Sequence, residues 1–354
     1  MTPRVTVFVG PDHDLYHTSL FLSGLCTLAD RGVIDLRYRI PRGDERWLVG
    51  DPIVVCLDLE ADGERRIAID LRDGEGFSRP ILDRVDRYLK RAFFRPELDR
   101  LEPALGARIE PFGLNFGCRN TASTLRLLRT LGLTLVGRGR PGLDRLRRFL
   151  WTPGPRVFEQ GPDVAVEPKV AFQTRLWTKA EVPPDEVEPL NSGRVAMVRA
   201  LKAAFGDRFV GGLMPTALAL AEYPDDVTPH SSKYAAYLAL KKRCLVSVYT
   251  RGVEHSLAFK LGETLAASQC LVSVPLRYEL PAPLVAERHY LPFDTPEECV
   301  DACRRLLSAP ALARDMRHAN HAYYLSDVEP AVHAAKVLAR CMPSGSDAHG
   351  RLGA

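Results

Sequence analysis

Long apolar runs are missing from this sequence. Nothing in its 354 residues approaches the ~18–20 consecutive apolar residues that a transmembrane helix requires. The segment from Met1 to Gly10 has neither the basic start nor the long apolar stretch of a signal peptide. We therefore expect a cytoplasmic protein without a transmembrane segment, and peripheral contact with a membrane is the one exception that we consider.

Paired cysteines and a strong net charge are missing as well. The eight cysteines are spread from Cys26 to Cys341 without a CxxC pair, whereas metal clusters need closer ligand groupings. Cys299 and Cys303 lie one turn apart in a predicted amphipathic helix, so we expect reduced structural thiols and no metal site. The net charge of +4 is small for this length and argues against a nucleic-acid-binding protein, which would present a strongly basic face.

The first predicted strand, Val5 to Val9, is not followed by the GxGxxG loop of dinucleotide-binding enzymes, which argues against an oxidoreductase. The chain has instead two rounds of alternating strand and helix patterns, which are typical of parallel sheets covered by helices. In the first round, Ile81 to Phe93 is predicted to be a helix. We divide the chain into an N-terminal domain at 1–150, a proline- and glycine-rich linker at 151–168, a C-terminal domain at 169–340 and a disordered tail at 341–354.

The most informative segment runs from Leu245 to Pro275 and predicts a strand, a polar loop, a helix and a second strand. Ser256 is predicted to cap the helix, whose first N–H groups then point into the loop and favour a phosphate. Arg251 in the loop and Lys260 in the helix supply positive charge for a diphosphate. Glu263 offers a carboxylate that can accept hydrogen bonds from both hydroxyls of a ribose.

Each of these residues also has an ordinary structural interpretation. Ser256 can be only a helix cap, Lys260 can pair with Glu263 on a solvated face, and Arg251 can be a plain loop arginine. The combination favours a binding site, because a surface ion pair has no reason to lie beside a capped helix start between two apolar strands. Arg175, near the end of the strand Phe172 to Trp177, is a further candidate for diphosphate contact, with an ion pair at the strand end as the alternative.

The next predicted helix, Ser192 to Phe205, begins near two polar residues. Asn191 and Arg194 are interpreted as caps of this helix, with a role in the site as the alternative.

The loop GPDHDLYH after the first strand carries acidic and imidazole groups. Asp12, His13 and Asp14 are candidate catalytic residues, because an inverting transferase needs a base for the acceptor proton and a carboxylate can orient a histidine. A hydrophilic turn is the alternative. The loop also holds Tyr16 and His17, and a metal site made from the two histidines and an aspartate is a further alternative.

A basic segment, GRGRPGLDRLRRFLW at 137–151, combines Arg145, Arg147 and Arg148 with leucines and Phe149 at helical spacing. Basic amphipathic helices can lie on anionic membranes, where lipid-linked acceptors occur. A solvated helix packed against the linker is the alternative that the pattern favours.

Several segments of the second half resemble one enzyme family. The run HSLAFKLGETLAASQCLVSVPLRYELP, the later HYLPFDTPEECVDACRRLL and MRHANHAYYLSDVEP resemble the C-terminal domain of bacterial group 1 glycosyltransferases, in particular the branch allied to spore-maturation-type glycosyltransferases. That pattern has a serine, a lysine and a glutamate on one helix, which match Ser256, Lys260 and Glu263. The resemblance covers roughly residues 170–338, and IAIDLRDGEG, DRYLKRAFF and IEPFGLNFG extend it faintly into the first half.

The resemblance implies an α/β protein of the GT-B fold, with two Rossmann-like doubly wound domains facing a central cleft. It also implies that the N-terminal domain binds the acceptor, that the C-terminal domain binds a nucleotide sugar with Glu263 at the ribose, and that no metal or other cofactor takes part. One position departs from the family, since many retaining members have a glutamate where this chain has His255. His255 is therefore a candidate for contact with the transferred sugar or the phosphates, or it packs against the loop.

Together these observations predict a metal-independent glycosyltransferase that moves a hexosyl or related group from a nucleotide sugar to an acceptor hydroxyl. Two alternatives share the donor pocket. One is a GT-B-shaped epimerase acting on the free nucleotide sugar, and the other is a non-catalytic module that binds a sugar nucleotide or a partner protein. The sequence leaves open the donor sugar and base, the oligomeric state, retaining or inverting chemistry, and whether the acceptor is a glycan, a lipid-linked molecule, a protein or a nucleobase.

Overall fold

The computed structural model describes residues 2–61, 63–120, 125–132, 139–231 and 233–342. Contacts divide the chain into two compact units. Unit 1 comprises Met1–Pro155, Tyr278–Pro283 and Leu325–Ala354, and unit 2 comprises Arg156–Arg277 and Leu284–Tyr324. Each unit has its own sheet covered by helices, so the predicted α/β class with two Rossmann-like units is confirmed.

The sheets are built from short strands. These are β1 (Arg4–Phe8), β2 (Asp35–Arg39), β3 (Val54–Glu60), β4 (Glu64–Asp70), β5 (Arg87–Lys90), β6 (Ile109–Pro111), β7 (Glu167–Thr174), β8 (Phe209–Leu213), β9 (Cys244–Tyr249), β10 (Cys270–Ser273) and β11 (Tyr290–Pro292).

The helices vary from one turn to six turns, and residues 125–132 are helical as well. The others are α1 (Ser19–Asp30), α2 (Arg79–Leu82), α3 (Pro103–Gly106), α4 (Arg140–Leu150), α5 (Pro155–Phe158), α6 (Pro184–Phe205), α7 (Ala217–Glu222), α8 (Tyr234–Lys242), α9 (Phe259–Ala266), α10 (Pro296–Ser308), α11 (Pro310–Tyr323) and α12 (Pro330–Cys341). Among the described helices, none is both long enough and apolar enough to pass through a bilayer.

The sheet of unit 1 has the strand order β2-β1-β3-β4-β5-β6 and is mixed. Its β3 runs antiparallel to both β1 and β4, whereas the other neighbours pair in parallel. Unit 1 thus departs from the fully parallel sheet expected from the alternating pattern. The reason is local, because the connection from Glu60 to Glu64 is too short to hold the helix that a parallel crossover needs.

The predicted helix from Ile81 to Phe93 is wrong over its second half, which forms β5. The side chains of Tyr88 and Lys90 in β5 are buried and contact Asp70 of the neighbouring β4. The Tyr88 hydroxyl donates to Oδ2 of Asp70 at 2.5 Å, and Lys90 Nζ lies 3.1 Å from the same oxygen. Since this partner lies in another strand, local spacing could not reveal that both side chains point into the fold.

The division into units also differs from the predicted domains at the C-terminal end. Helix α12, which the sequence assigned to the second domain, lies in unit 1 because its Ala334 and Leu338 share a core with Leu25 of α1. The two helices touch through backbone, since a Cβ built on Gly24 would lie 1.9 Å from the carbonyl oxygen of Pro330. The boundary between Pro155 and Arg156 falls inside the predicted linker, and the predicted tail lies outside the described residues from 343 onward.

The sheet of unit 2 is parallel throughout and has the order β11-β10-β9-β7-β8. The chain places β8 on one side of β7 and then crosses to place β9 on the other side. The order therefore reverses between β7 and β9, as in doubly wound folds, where ligands bind beyond the carboxyl ends of the strands at such a reversal. All eight cysteines of the chain are buried and unbridged, which confirms the predicted structural thiols.

The close contact between α1 and α12 makes a prediction about Gly24. Gly24→Ala should lower the free energy of unfolding by about 1–3 kcal/mol or more, because the new methyl group must push α12 away. Gly193→Ala is the matched control, since that position on α6 has open space around its Cβ and should gain up to about 1 kcal/mol from helix propensity. Melting temperatures and urea unfolding of both variants measure the difference, and a wild-type melting temperature for Gly24→Ala would contradict the close contact.

Candidate functional site

Four cationic side chains come together in unit 2 at the carboxyl ends of β7 and β9, where the strand order reverses. Arg175 directly follows β7, and Arg251 lies two residues beyond β9. Arg194 projects from α6 and Lys260 from α9. We call these four residues the cation cluster. Its position is the one at which parallel α/β sheets bind ligands.

Arg194 is the central member of the cluster and is buried. Its guanidinium donates to the backbone carbonyl of Arg175 at 2.6 Å and reaches that of Arg251 at 3.4 Å. Within the described part of the chain no carboxylate lies within 4 Å of it, and its Nε has no hydrogen-bond partner. Burial, followed by repulsion from Arg175 and Arg251, lowers the pKa of Arg194 to about 10.

Arg194 was predicted to be a helix cap because the helix was predicted to begin at Ser192, which is wrong. Helix α6 begins at Pro184, so Arg194 lies well inside the helix and is not a cap. Asn191 is buried on the same helix and bonds both backbone groups of Trp177, at 2.9 and 2.8 Å. The sequence does contain a signal for a buried Arg194, because an arginine is unusual on the same helix face as the apolar Leu190, Val195 and Val198.

The two outer arginines of the cluster each face a carboxylate. Arg175 lies 3.1 Å from Glu181, and its guanidinium also lies 3.5 Å above the ring of Trp177. Arg251 lies 3.1 Å from Glu186 of α6. The ion pair proposed as the alternative for Arg175 is therefore present, although it leaves the guanidinium at the edge of the cluster.

Lys260 does not form the surface pair with Glu263 that was considered from the sequence. Its ammonium group donates instead to the backbone carbonyl of Gln173 in β7. Burial lowers the pKa of Lys260 to about 7, and repulsion from Arg194 and Lys241 acts in the same direction. Lys260 thus belongs to the same electropositive region as Arg194.

Glu263 is buried, with 4% of its surface exposed. The hydroxyl of Tyr234 donates to its Oε1 at 2.6 Å, and Lys241 Nζ lies 3.8 Å from its Oε2. Among the described residues, Oε2 has no hydrogen-bond partner. The carboxylate therefore has one occupied oxygen and one unsatisfied oxygen, which differs from the two open oxygens expected for a ribose diol.

The helix start was predicted at Ser256, but α9 begins at Phe259 after Ala258, which makes no side-chain cap. Ser256 is buried and accepts a hydrogen bond from the Gly252 N–H on its carbonyl at 3.1 Å. The chain makes this extra turn through Glu254 and His255, whose φ angles of 50° and 58° are left-handed. Left-handed backbone in residues other than glycine costs energy and is common at functional sites.

In unit 1 the candidate catalytic residues of the first loop separate into different roles. His13 is buried, with Nδ1 accepting from the Gly10 N–H at 3.1 Å and Nε2 donating to the Val54 carbonyl at 3.0 Å. Both ring nitrogens are therefore hydrogen-bonded to backbone groups, and burial lowers the pKa of His13. Asp12 lies 3.0 Å from Arg145 of α4.

The carboxylate–histidine pair of this loop is formed by Asp14 and His17, three residues apart. His17 Nδ1 donates to Asp14 Oδ2 at 2.7 Å, while Oδ1 accepts from the backbone N–H groups of Tyr16 and His17. Asn115, which follows β6, donates to the His17 carbonyl at 2.7 Å. Its own Oδ1 is buried without a partner in the described residues. His17 was absent from the predicted catalytic set, although its spacing from Asp14 was visible.

Within the described residues no three His, Cys, Asp or Glu side chains are grouped as metal ligands. A cavity of about 560 Å³ is present in unit 2, but its lining belongs to the edge strand β8 and to the amino ends of β7 and β9, and includes no member of the cation cluster. We do not assign it to the site, because parallel sheets bind ligands at the carboxyl ends of their strands.

The Asp14–His17 pair makes a prediction about stability. Burial acts to raise the pKa of Asp14, but the hydrogen bond and charge of His17 outweigh it and lower the pKa to about 2, against 3.8 for an unperturbed carboxyl. The pair should therefore contribute about 2 kcal/mol above about pH 4, and this contribution should disappear as the pH falls toward about 2. Urea unfolding of wild type and Asp14→Asn across this range measures it, and a difference independent of pH would contradict the assignment.

Comparison with known families gives a match to the model described as "Glycosyl transferase-like" over residues 194–339. The match covers less than half of the chain. A search of curated proteins finds no match.

Comparison with solved structures gives several distant similarities. The C-terminal domain of a group 1 glycosyl transferase from Francisella tularensis has 7% identity and a TM-score of 0.36, over 49% of this chain and 96% of that one. The UDP-GlcNAc 2-epimerase of Neisseria meningitidis has 12% identity and a TM-score of 0.38, over 74% of this chain and 62% of that one. An alpha1,3-fucosyltransferase has 11% identity and a TM-score of 0.39, over 90% of this chain and 82% of that one. Residues 194–339 thus match a glycosyl transferase-like family model, and this segment includes parts of both Rossmann-like α/β units of the chain.

Proposed function

We propose that this chain is a glycosyltransferase of the GT-B type that binds the diphosphate of a nucleotide sugar at the cation cluster of unit 2. The observation that carries this proposal is Arg194, a buried arginine at the strand-order reversal without a carboxylate partner among the described residues. The glycosyl transferase-like match over the same region supports it.

The energetic argument concerns an uncompensated charge. Burying an ionised group without a counter-charge costs several kcal/mol, so folded proteins normally pair such groups. Here repulsion from Arg175 and Arg251 raises the cost further. An anionic ligand removes this cost, and the planar fork of a guanidinium suits phosphate oxygens. A diphosphate, with two phosphates bridged, can contact Arg194 and Lys260 together.

For the ribose we keep Glu263, with a role narrower than the family resemblance implies. Its Oε1 is occupied by Tyr234, so a sugar hydroxyl would meet Oε2, which has no hydrogen-bond partner in the described residues and lies 3.8 Å from Lys241 Nζ. One hydroxyl rather than the diol would then bond the carboxylate directly.

For an inverting reaction we propose His17 of unit 1 as the base. Asp14 accepts the Nδ1 proton, which makes Nε2 the basic nitrogen and stabilises the imidazolium that forms on proton transfer. His13 is excluded from this role because both of its ring nitrogens hold backbone groups.

The first test is nucleotide binding by Arg194 variants. A thermal-shift screen of UDP, GDP, dTDP, ADP and CMP sugars, run in EDTA, identifies the donor. Arg194→Gln should then weaken its binding about 10- to 100-fold in calorimetric titration, because a hydrogen bond to a charged group is worth about 1.5–3 kcal/mol. Arg194→Lys keeps the positive charge but lacks the planar guanidinium, so its affinity should lie between those of wild type and Arg194→Gln.

Arg199→Gln is the matched control, because Arg199 lies on the same helix but pairs with Asp226 at 2.8 Å. It should bind like wild type. Unchanged affinity in Arg194→Gln, or loss of all binding in EDTA, would reject the metal-independent diphosphate site. Product analysis with the identified donor then separates transfer or hydrolysis from inversion of the free sugar, which would indicate an epimerase.

The second test uses the pKa of Lys260, which is about 7 in the unliganded protein. An anion bound beside this ammonium group raises its pKa, so binding takes up a proton above neutral pH. Affinity for the nucleotide sugar should therefore fall by up to about tenfold per pH unit between about pH 7.5 and 8.5, where its phosphates are fully ionised and Arg194 is still protonated. Lys260→Arg stays charged and should show a flat profile. Equal slopes in both proteins would remove Lys260 from the diphosphate site.

A further inference from the structure

Helix α4 and the residue that follows it present a surface that neither the fold nor the proposed catalysis uses. One side of the helix is anchored, since Phe149 is buried in the core of unit 1. Outside this anchored side, large apolar residues lie in solvent. Leu143 is 48% exposed, Leu150 38% and Trp151 70%. Exposed tryptophan loses most of the burial free energy that its ring could gain, which makes a free surface of this kind unusual.

The same helix is strongly basic. Four arginines lie on α4, against the single acid Asp144. Arg145 pairs with Asp12, but no carboxylate in the described ranges lies within 4 Å of Arg140, Arg147 or Arg148. The guanidinium of Arg147 lies 4.1 Å above the ring of Trp151, so a cation and an indole form one composite surface.

We propose that this surface, formed by α4 and Trp151, docks on an anionic lipid bilayer. Indole rings and leucines enter the boundary between headgroups and acyl chains, while arginines beside them contact lipid phosphates. Each basic residue near an anionic leaflet adds about 1 kcal/mol of attraction. Nucleic acid would match the arginines but would gain nothing from the exposed leucines, and the net charge of the whole chain is only +4.

The docking surface is connected to the loop that holds the proposed base. Arg148 lies 4.4 Å above the ring of Tyr16, which stands between Asp14 and His17 in sequence. Lipid contact would therefore bring headgroups close to this loop. If the proposed function holds, a lipid-linked acceptor is the substrate class that fits this placement. The docking itself does not depend on that function.

The experiment uses the full chain with vesicles of phosphatidylcholine alone or mixed equally with phosphatidylglycerol. Co-sedimentation should show binding to the mixed vesicles only, weakening as salt is raised from about 0.05 to about 0.5 M. Tryptophan emission should shift to the blue on binding, and Trp151→Phe should abolish the shift, which excludes Trp47 and Trp177 as its source.

Two pairs of variants separate this surface from general charge. The double variant Arg147→Gln/Arg148→Gln should reduce partition into mixed vesicles about 30-fold, from the loss of two lipid-facing charges. The control Arg304→Gln/Arg314→Gln removes the same charge from exposed positions of unit 2 and should bind as wild type. Leu150→Ser should weaken binding, whereas Leu220→Ser, at a 55% exposed leucine of unit 2, should not.

Several results would overturn the proposal. Absence of binding to mixed vesicles by wild type, or an equal loss in both arginine double variants, would reject a lipid-docking role for α4. A dimer in sedimentation velocity that Leu150→Ser dissociates, without vesicle binding, would show that a second copy of the chain covers the surface. Melting temperatures equal to wild type confirm that the variants are folded. Nucleotide binding is measured separately, so failure here leaves the donor site untouched.

Discussion

A single buried guanidinium organises the candidate site of unit 2. Arg194 reaches from α6 to backbone carbonyls that follow β7 and β9, and so ties together the two strand ends between which the sheet order reverses. The outer arginines are balanced by glutamates, whereas this inner one contacts two backbone carbonyls and the ring of Trp177, with no carboxylate within 4 Å among the described residues. The arrangement costs folding free energy while the site is empty, and an anion would recover it. That imbalance connects the fold of the unit with its proposed activity.

Unit 1 shows the opposite use of buried charge. At the carboxyl ends of β4 and β5, Asp70 is surrounded by Arg72, Tyr88 and Lys90, and every one of them bonds to it. Arg72 also lies 3.6 Å from Asp51, so two carboxylates balance the two cations of this network, and its centre, Asp70, belongs to the core. The Asp14–His17 pair is smaller and half-buried, so its imidazole lies at the surface of the unit. Because of this difference in burial, we assign a structural role to the Asp70 network and propose proton transfer only for the Asp14–His17 pair.

The polar residues that the sequence singled out changed roles for reasons of geometry. His13 and His17 lie four residues apart in one loop, yet the first turns inward to backbone and the second meets Asp14. Ser256 looked like a cap, but two left-handed residues before it displace the helix start to Phe259. Glu263 looked like a surface partner or an open ligand, and it is a buried carboxylate bonded by Tyr234 of a different helix.

Local pattern alone determined the two-unit α/β class, the first strand, the basic helix before the linker and the segment that carries Arg251, Lys260 and Glu263. These follow from periodicity and composition, which act over a few residues. Tertiary structure decided the rest, because it depends on partners distant in sequence. Helix α12 joins unit 1 through its contact with α1, and β5 is a strand whose side chains contact Asp70 of β4. Arg194 enters the site only once α6 packs against β7 and β8.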